Sequence, residues 1–316
     1  MRSSVYRNMN CSGIIFTQGA YFAFILRGSG FLINTNEILN KYNIRLTKTL
    51  GQNFLTDANI IRKITDAGEL SEKDLVVEVG PGIGALTVNL AQKAGRVIAV
   101  EIDKKLIPAL EETTGGFDNV TLVNADVLKV DIYGLIDGWH GNVKVISNLP
   151  YYVTTPIIMM FLEGNYPIER MVLMVQKEVA QRMTAKPGTK DYGALSVGIQ
   201  AAGIPKILFS VSRNCFIPKP EVDSAVVRVI ITDEYRKRIS DRKIFHECVK
   251  AAFSQRRKTL VNSLGNSPFF KIDKEMVKDM LSALNLKEQV RGEELSVEQF
   301  ILLSNMVAEK IRCGGI

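Results

Sequence analysis

The chain has 316 residues, 46% of them hydrophobic, enough for a sizeable core, and a formal net charge of +7. Its 4 cysteines show no CxxC spacing and only 2 histidines are present, which argues against a disulfide scaffold, a zinc site or histidine-dependent catalysis. The charge is uneven: net +4 over residues 1–46, net +6 over 236–316, and −3 between them. A neutral-to-acidic middle between basic ends suits a polyanionic partner, because neutralising phosphates drives nucleic-acid affinity.

Residues 1–36 hold three arginines, several serines and no acid. Two readings stay open for them: a targeting leader, or a disordered extension or mis-assigned start, with the second preferred. The apolar stretch from Ile14 to Leu26 is too short and interrupted to cross a bilayer, and no other stretch is long enough. The reading is a protein with no membrane partner.

From Leu75 onward strand and helix signals alternate, which predicts a doubly wound parallel sheet. Strands are expected at 75–79, 97–101, 120–123, 143–147 and 171–175, with two more β-rich runs near 207–211 and 225–231 completing about seven. Helices are expected over 85–94, closed by Gly95, over 103–113, and from Thr154-Thr155-Pro156 through Leu162, where proline suits the first turn. The charge run Asp233-Glu234-Tyr235-Arg236-Lys237-Arg238 reads as a linker into a helical tail. There one helix is expected from about 246 to 264, with Val249, Phe253, Leu260 and Val261 near one face and Gly265 as its cap.

The glycine turn after the first of these strands fits two cofactor classes. Gly80-x-Gly82-x-x-Ala85 satisfies the dinucleotide fingerprint, with Glu101 about where a ribose-binding acid belongs. In an S-adenosylmethionine site the same turn brings backbone amides to the ligand, Glu101 takes the ribose hydroxyls, and Asp126 accepts the adenine amine. Clustered acids suit a sulfonium cation better than a pyrophosphate.

Asn148-Leu149-Pro150-Tyr151 separates the two classes. It follows the strand 143–147, at the strand end where open α/β sheets place ligands. An amide oxygen and the Leu149 or Pro150 carbonyl can accept both N–H bonds of a planar exocyclic amine, while Tyr151 stacks on its ring. An adenine N6 so held is freed as a nucleophile by orientation and fixed dipoles rather than by a strong base. A base must leave its stack before such chemistry.

Leu50-Gly51-Gln52-Asn53-Phe54-Leu55, Glu78-Val79-Gly80-Pro81-Gly82, Asn148-Leu149-Pro150-Tyr151, Val175-Gln176-Lys177-Glu178-Val179-Ala180 and Phe216-Ile217-Pro218-Lys219-Pro220-Glu221-Val222-Asp223-Ser224 occur in that order. Ala252-Phe253-Ser254-Gln255-Arg256-Arg257-Lys258-Thr259-Leu260 and Arg291-Gly292-Glu293-Glu294-Leu295-Ser296 extend the pattern into the tail. From about residue 40 to 305 the chain resembles the ribosomal RNA adenine N6,N6-dimethyltransferases of the KsgA (RsmA) type, with Gly292 where alanine is more usual.

The resemblance implies a Rossmann-like class I methyltransferase domain over 37–235, a small helical RNA-docking domain over 236–316, and an extension of uncertain status over 1–36. It implies dimethylation of two adjacent adenines near the 3′ end of small-subunit (16S) rRNA during ribosome biogenesis, in the cytoplasm, by a monomer acting on rRNA or a pre-assembled 30S particle. The alternative is the related class that dimethylates a large-subunit rRNA adenine and confers antibiotic resistance; the tail motif around Glu293 to Ser296 argues against it. S-adenosylmethionine contacts are implied at Asn53, Leu55, Gly80, Gly82, Glu101, Asp126 and Asn148, and no metal. Phe216 is implied as a second stacking face for the target base beside Asn148, Leu149, Pro150 and Tyr151. Arg256, Arg257 and Lys258 are expected to meet RNA phosphates.

Overall fold

The computed structural model describes residues 25–26, 31–44, 52–164, 166–255, 257–270 and 272–313. Two short strands, β1 (Ile25–Leu26) and β2 (Phe31–Leu32), pair antiparallel and lead into helix α1 (Thr35–Lys41), which Asn34 caps by accepting from Glu37 N. The expected boundary at 36/37 therefore falls inside ordered chain: Ile33 is buried in one apolar cluster with Ile38, Leu39 and Phe54. Residues 1–24, which carry most of the expected extension, lie outside the described residues.

Next come β3 (Phe54–Leu55), α2 (Ala58–Ala67), capped by Asp57, β4 (Asp74–Val79), α3 (Thr87–Ala91), β5 (Arg96–Glu101), α4 (Ile107–Thr114) and β6 (Val120–Asn124). They are followed by α5 (Ile132–Ile136), β7 (Asn142–Asn148), α6 (Thr154–Glu163), β8 (Ile168–Gln176), α7 (Lys177–Met183), α8 (Ala194–Ala202), β9 (Gly203–Val211), β10 (Phe216–Ile217) and β11 (Ser224–Ile231). Seven strands form one sheet in the order β6-β5-β4-β7-β8-β11-β9. The pairings from β6 through β8 are parallel, and β4 is buried along its whole length. That is why Leu75, Val76 and Val77 follow one another without alternation, with Asp74 and Glu78 as buried acids at either end of the run. Gly95 does not cap α3 as expected; its N–H bonds the Asp74 carbonyl (3.0 Å) just before β5.

The chain divides into two compact units, one of 1–154, 167–177 and 208–228, the other of 155–166, 178–207 and 229–316. This differs from a cut at 235/236. The second unit takes in α8 and the residues before it, because Tyr192, Val197 and Ala201 share one apolar cluster with Phe245, Leu260 and Phe300. The buried Tyr192 hydroxyl donates to the Leu295 carbonyl (2.9 Å), so the ring is fixed at both ends.

The tail of this unit holds α9 (Asp233–Arg236), where a linker was expected, α10 (Arg242–Ser254), α11 (Leu260–Gly265), α12 (Lys274–Ala283) and α13 (Val297–Cys313). The single helix expected over 246–264 is thus two. Gln255 turns to φ −135°, and Leu260 N bonds the Val290 carbonyl (2.9 Å) instead of continuing the ladder. Gly265 ends α11 as its last residue, with Asn266 as the cap. No helix among the described residues is long and apolar enough to cross a membrane.

Candidate active site

Because β4, β5, β6 and β7 run parallel, their carboxyl ends share one edge, and the residues singled out from sequence collect there. At the end of β4, Gly80 and Gly82 adopt φ of +68° and +62°, which L-side chains rarely enter. A Cβ on Gly82 would lie 2.8 Å from Phe54 Cε1, and one on Gly80 3.1 Å from Pro150 Cγ. The turn is therefore closed against both the 52–55 segment and the Asn148-Leu149-Pro150-Tyr151 segment. Gln52 Nε2 donates to Asp103 Oδ2 (2.7 Å), tying that first segment to the end of β5.

Glu101 is buried, and its carboxylate accepts from Gly82 N (3.1 Å) and Asp103 N (2.9 Å). Burial raises its pKa, and these amides oppose the rise. Each oxygen keeps a lone pair for a further donor such as a ribose hydroxyl. Asn124 Nδ2 and Ala125 N both donate to the Glu101 carbonyl (2.8 and 3.0 Å), holding the end of β6 beside β5. Asp126 follows, accepting from Leu128 N (3.0 Å), with Lys129 Nζ 3.7 Å from its other oxygen.

Asn148 ends β7 half-buried. Its Nδ2 donates to the Asn53 carbonyl (3.1 Å), which orients the amide, and its Oδ1 is buried with no hydrogen-bond partner. Leaving such an acceptor unpaired costs about 1–3 kcal/mol. The Pro150 carbonyl, one of two expected acceptors beside it, already accepts from Thr154 Oγ1 (2.9 Å) and Val153 N (3.3 Å) as α6 begins. Leu149 is held by its own N–H to the Met174 carbonyl (3.1 Å). The Tyr151 ring is half-buried and its hydroxyl is hydrogen-bonded to Ser224 Oγ. Burial raises the phenol pKa, so it stays neutral.

Two expected site residues sit differently. Phe216 is 3% exposed, because β10 pairs with β3 in the register Phe216↔Leu55 and its ring packs into an apolar cluster with Leu55, Val211 and Val226. In this structure it is a core wall, not an open stacking face. Leu55 is likewise a core side chain, so only its backbone is available to a ligand. Arg257 and Lys258 are exposed between α10 and α11, while Arg256 lies outside the described residues.

Sequence reasoning assigned no role of their own to two groups. Glu78, at the penultimate position of β4, is 2% exposed, and its Oε2 has no partner; burial pushes its pKa up to about 8. Tyr152 is 50% exposed; burial raises its pKa, as do the Asp126 and Glu101 carboxylates, which places it at the rim of the acidic end of the site. The signal for Glu78 was a carboxyl inside an apolar strand. Tyr152 gave none that set it apart from Tyr151.

A glycine cradle with room for no side chain, acids at the ends of three strands and an oriented acceptor fit a cationic adenosine cofactor. The comparisons agree. The family model for ribosomal RNA adenine dimethylase matches residues 43–309. Ribosomal RNA small subunit methyltransferase A of Alkaliphilus oremlandii is 50% identical over 88% of this chain and 97% of its own length. Its counterpart in Clostridioides difficile is 48% identical over 88% and 96%. Among solved structures, a dimethyladenosine transferase from Plasmodium falciparum aligns with TM-score 0.68 and 25% identity, covering 83% of this chain and 98% of that one. The 23S rRNA methyltransferase ErmE aligns with TM-score 0.58 and 27% identity, covering 81% and 100%. Matched by the family model over residues 43–309 and 50% identical to a relative over 88% of its length, this chain belongs to the ribosomal RNA adenine dimethylase family of S-adenosylmethionine-dependent methyltransferases.

Proposed function

We propose that this protein methylates N6 of two adjacent adenines in a hairpin near the 3′ end of small-subunit rRNA, giving N6,N6-dimethyladenosine during ribosome biogenesis. The observation that carries the reading is Asn148 Oδ1, a buried acceptor with its amide already oriented and nothing to accept from. S-adenosylmethionine, when bound, supplies a methyl group on a sulfonium. Gly80, Gly82, Glu101 and Asp126, with the backbone of Asn53 and Leu55, hold it.

The residues of the Asn148-Leu149-Pro150-Tyr151 segment act on the base. Asn148 Oδ1 accepts one N6–H. With the Pro150 carbonyl occupied, the Leu149 carbonyl takes the other. Two acceptors pull the amine toward a pyramidal nitrogen and free its lone pair, a gain from preorganised dipoles rather than from a base. Tyr151, anchored at its hydroxyl, offers its face to the flipped ring. Arg257 and Lys258 contribute phosphate contacts, which position RNA without reading sequence. We place the enzyme in the cytoplasm as a monomer, acting on rRNA within a small-subunit particle.

The test is incubation with labelled S-adenosylmethionine and small subunits lacking the modification, followed by nucleoside analysis. Dimethyladenosine in the small-subunit RNA is expected. Label only in large-subunit RNA would transfer the assignment to the large-subunit class, and no label in either would remove it.

A further inference from the structure

Glu78 is the group that the mechanism above does not use. It lies two residues before Gly80 on a strand buried throughout, paired in register with Ala99 of β5. The Thr87 hydroxyl of α3 faces its carboxyl and offsets part of the cost of burial, although Thr87 Oγ1 and Glu78 Oε2 are both buried and make no regular hydrogen bond. The charged group acting on it is the Glu101 carboxylate, itself held by the Gly82 and Asp103 amides and beside the Asp103 carboxylate. Among the described residues no basic side chain contributes. A carboxylate buried next to another, without a cation, is costly; the group relieves that cost by taking a proton. Yet it stands directly under the turn that cradles a ligand carrying two positive groups, the sulfonium and the amino-acid ammonium.

We propose that Glu78 is the proton-linked counter-charge of the cofactor: a neutral carboxylic acid in the free protein that releases its proton to solvent as the cation enters. The acid O–H breaks, the proton goes to buffer, and the resulting carboxylate faces the bound cation. This rests on the methyl-transfer reading for the identity of the ligand. With burial holding the free acid near a pKa of about 8, close to one proton per cofactor is released at pH 7, falling toward none above pH 9. Glu78 thereby sets a pH-dependent affinity: the free protein binds more tightly as pH rises through the acid's titration.

The experiment is calorimetric titration of the full chain with S-adenosylmethionine, and separately with S-adenosylhomocysteine, in buffers of different ionisation enthalpy. A slope near one proton for both ligands assigns the ammonium as the partner, and a slope for S-adenosylmethionine alone assigns the sulfonium; either supports the proposal. The slope should vanish in Glu78→Gln while binding persists. A zero slope in the wild type, or an unchanged slope in Glu78→Gln, overturns it. The infrared band of a protonated carboxyl, lost on ligand addition, gives an independent readout in the wild type should the variant fail to fold; its absence before ligand overturns the proposal too. Absence of any binding would instead count against the methyl-transfer reading.

Discussion

The two ends of the central strands treat buried charge in opposite ways. Where β4 and β7 begin, Lys144 Nζ lies 3.1 Å from Asp74 Oδ1, with side chains 4% and 1% exposed. Lys144 also donates to the Glu69 carbonyl (2.8 Å), and Asp74 accepts from Ser71 and Asn142 as well. Glu69 in turn pairs with Arg170 (2.8 Å) and Arg228 (3.1 Å), so each charge here has an opposite charge beside it even though Arg170 Nε makes no bond of its own. Where the same strands end, Asn148 Oδ1 and Glu78 Oε2 are buried and unpaired. Paired charges brace a fold, whereas unpaired acceptors store a cost that a ligand can relieve. The difference separates scaffold from site within one sheet.

Substitutions can break that contrast, beginning with the most severe. Asn148→Ala should cut methyl transfer by about a thousandfold, near 4 kcal/mol of transition-state stabilisation, while cofactor affinity largely survives. Single-turnover rates with labelled cofactor measure it, and near-normal turnover would count against the mechanism. Lys144→Met leaves Asp74 as a buried carboxylate without its cation. A loss of about 3 kcal/mol in denaturant unfolding is expected, with catalysis per folded molecule unchanged, because the pair lies at the bracing end. Gly82→Ala forces a Cβ into a left-handed backbone against Phe54 and should cost about 1–2 kcal/mol in stability; equilibrium dialysis should also show weaker cofactor binding. Arg257→Ala with Lys258→Ala should be mildest. Cofactor affinity stays as it was, and the salt dependence of RNA binding becomes shallower by roughly one per charge removed. An unaltered slope would take these side chains off the RNA path.

Much of this contrast was legible in the chain and part was not. The apolar runs placed all seven strands of the sheet within a few residues, and the strand-end positions of Glu101, Asp126 and Asn148 followed from them. The break between α10 and α11 was not legible. No proline or glycine marks residues 255–259, and the helix is interrupted because Leu260 N finds the Val290 carbonyl, a partner 30 positions away. The allegiance of Tyr192 and α8 to the second unit is likewise decided by a shared apolar cluster. Phe216 was taken for a stacking face because its motif says nothing of the ladder with Leu55. Glu78 stood in plain view, but that its oxygen goes unpaired depends on where Thr87 and Glu101 fall.

The occupied carbonyl of Pro150 has a consequence for product distribution. An unmodified amine brings two hydrogens, one for each of the remaining oxygens on Asn148 and Leu149. A monomethylated amine brings one, so its second turnover forgoes a contact worth about 0.5–1.5 kcal/mol and must seat the first methyl where a hydrogen had pointed. The two rounds are thus chemically unequal, and the half-finished base should accumulate early in a time course before it is consumed.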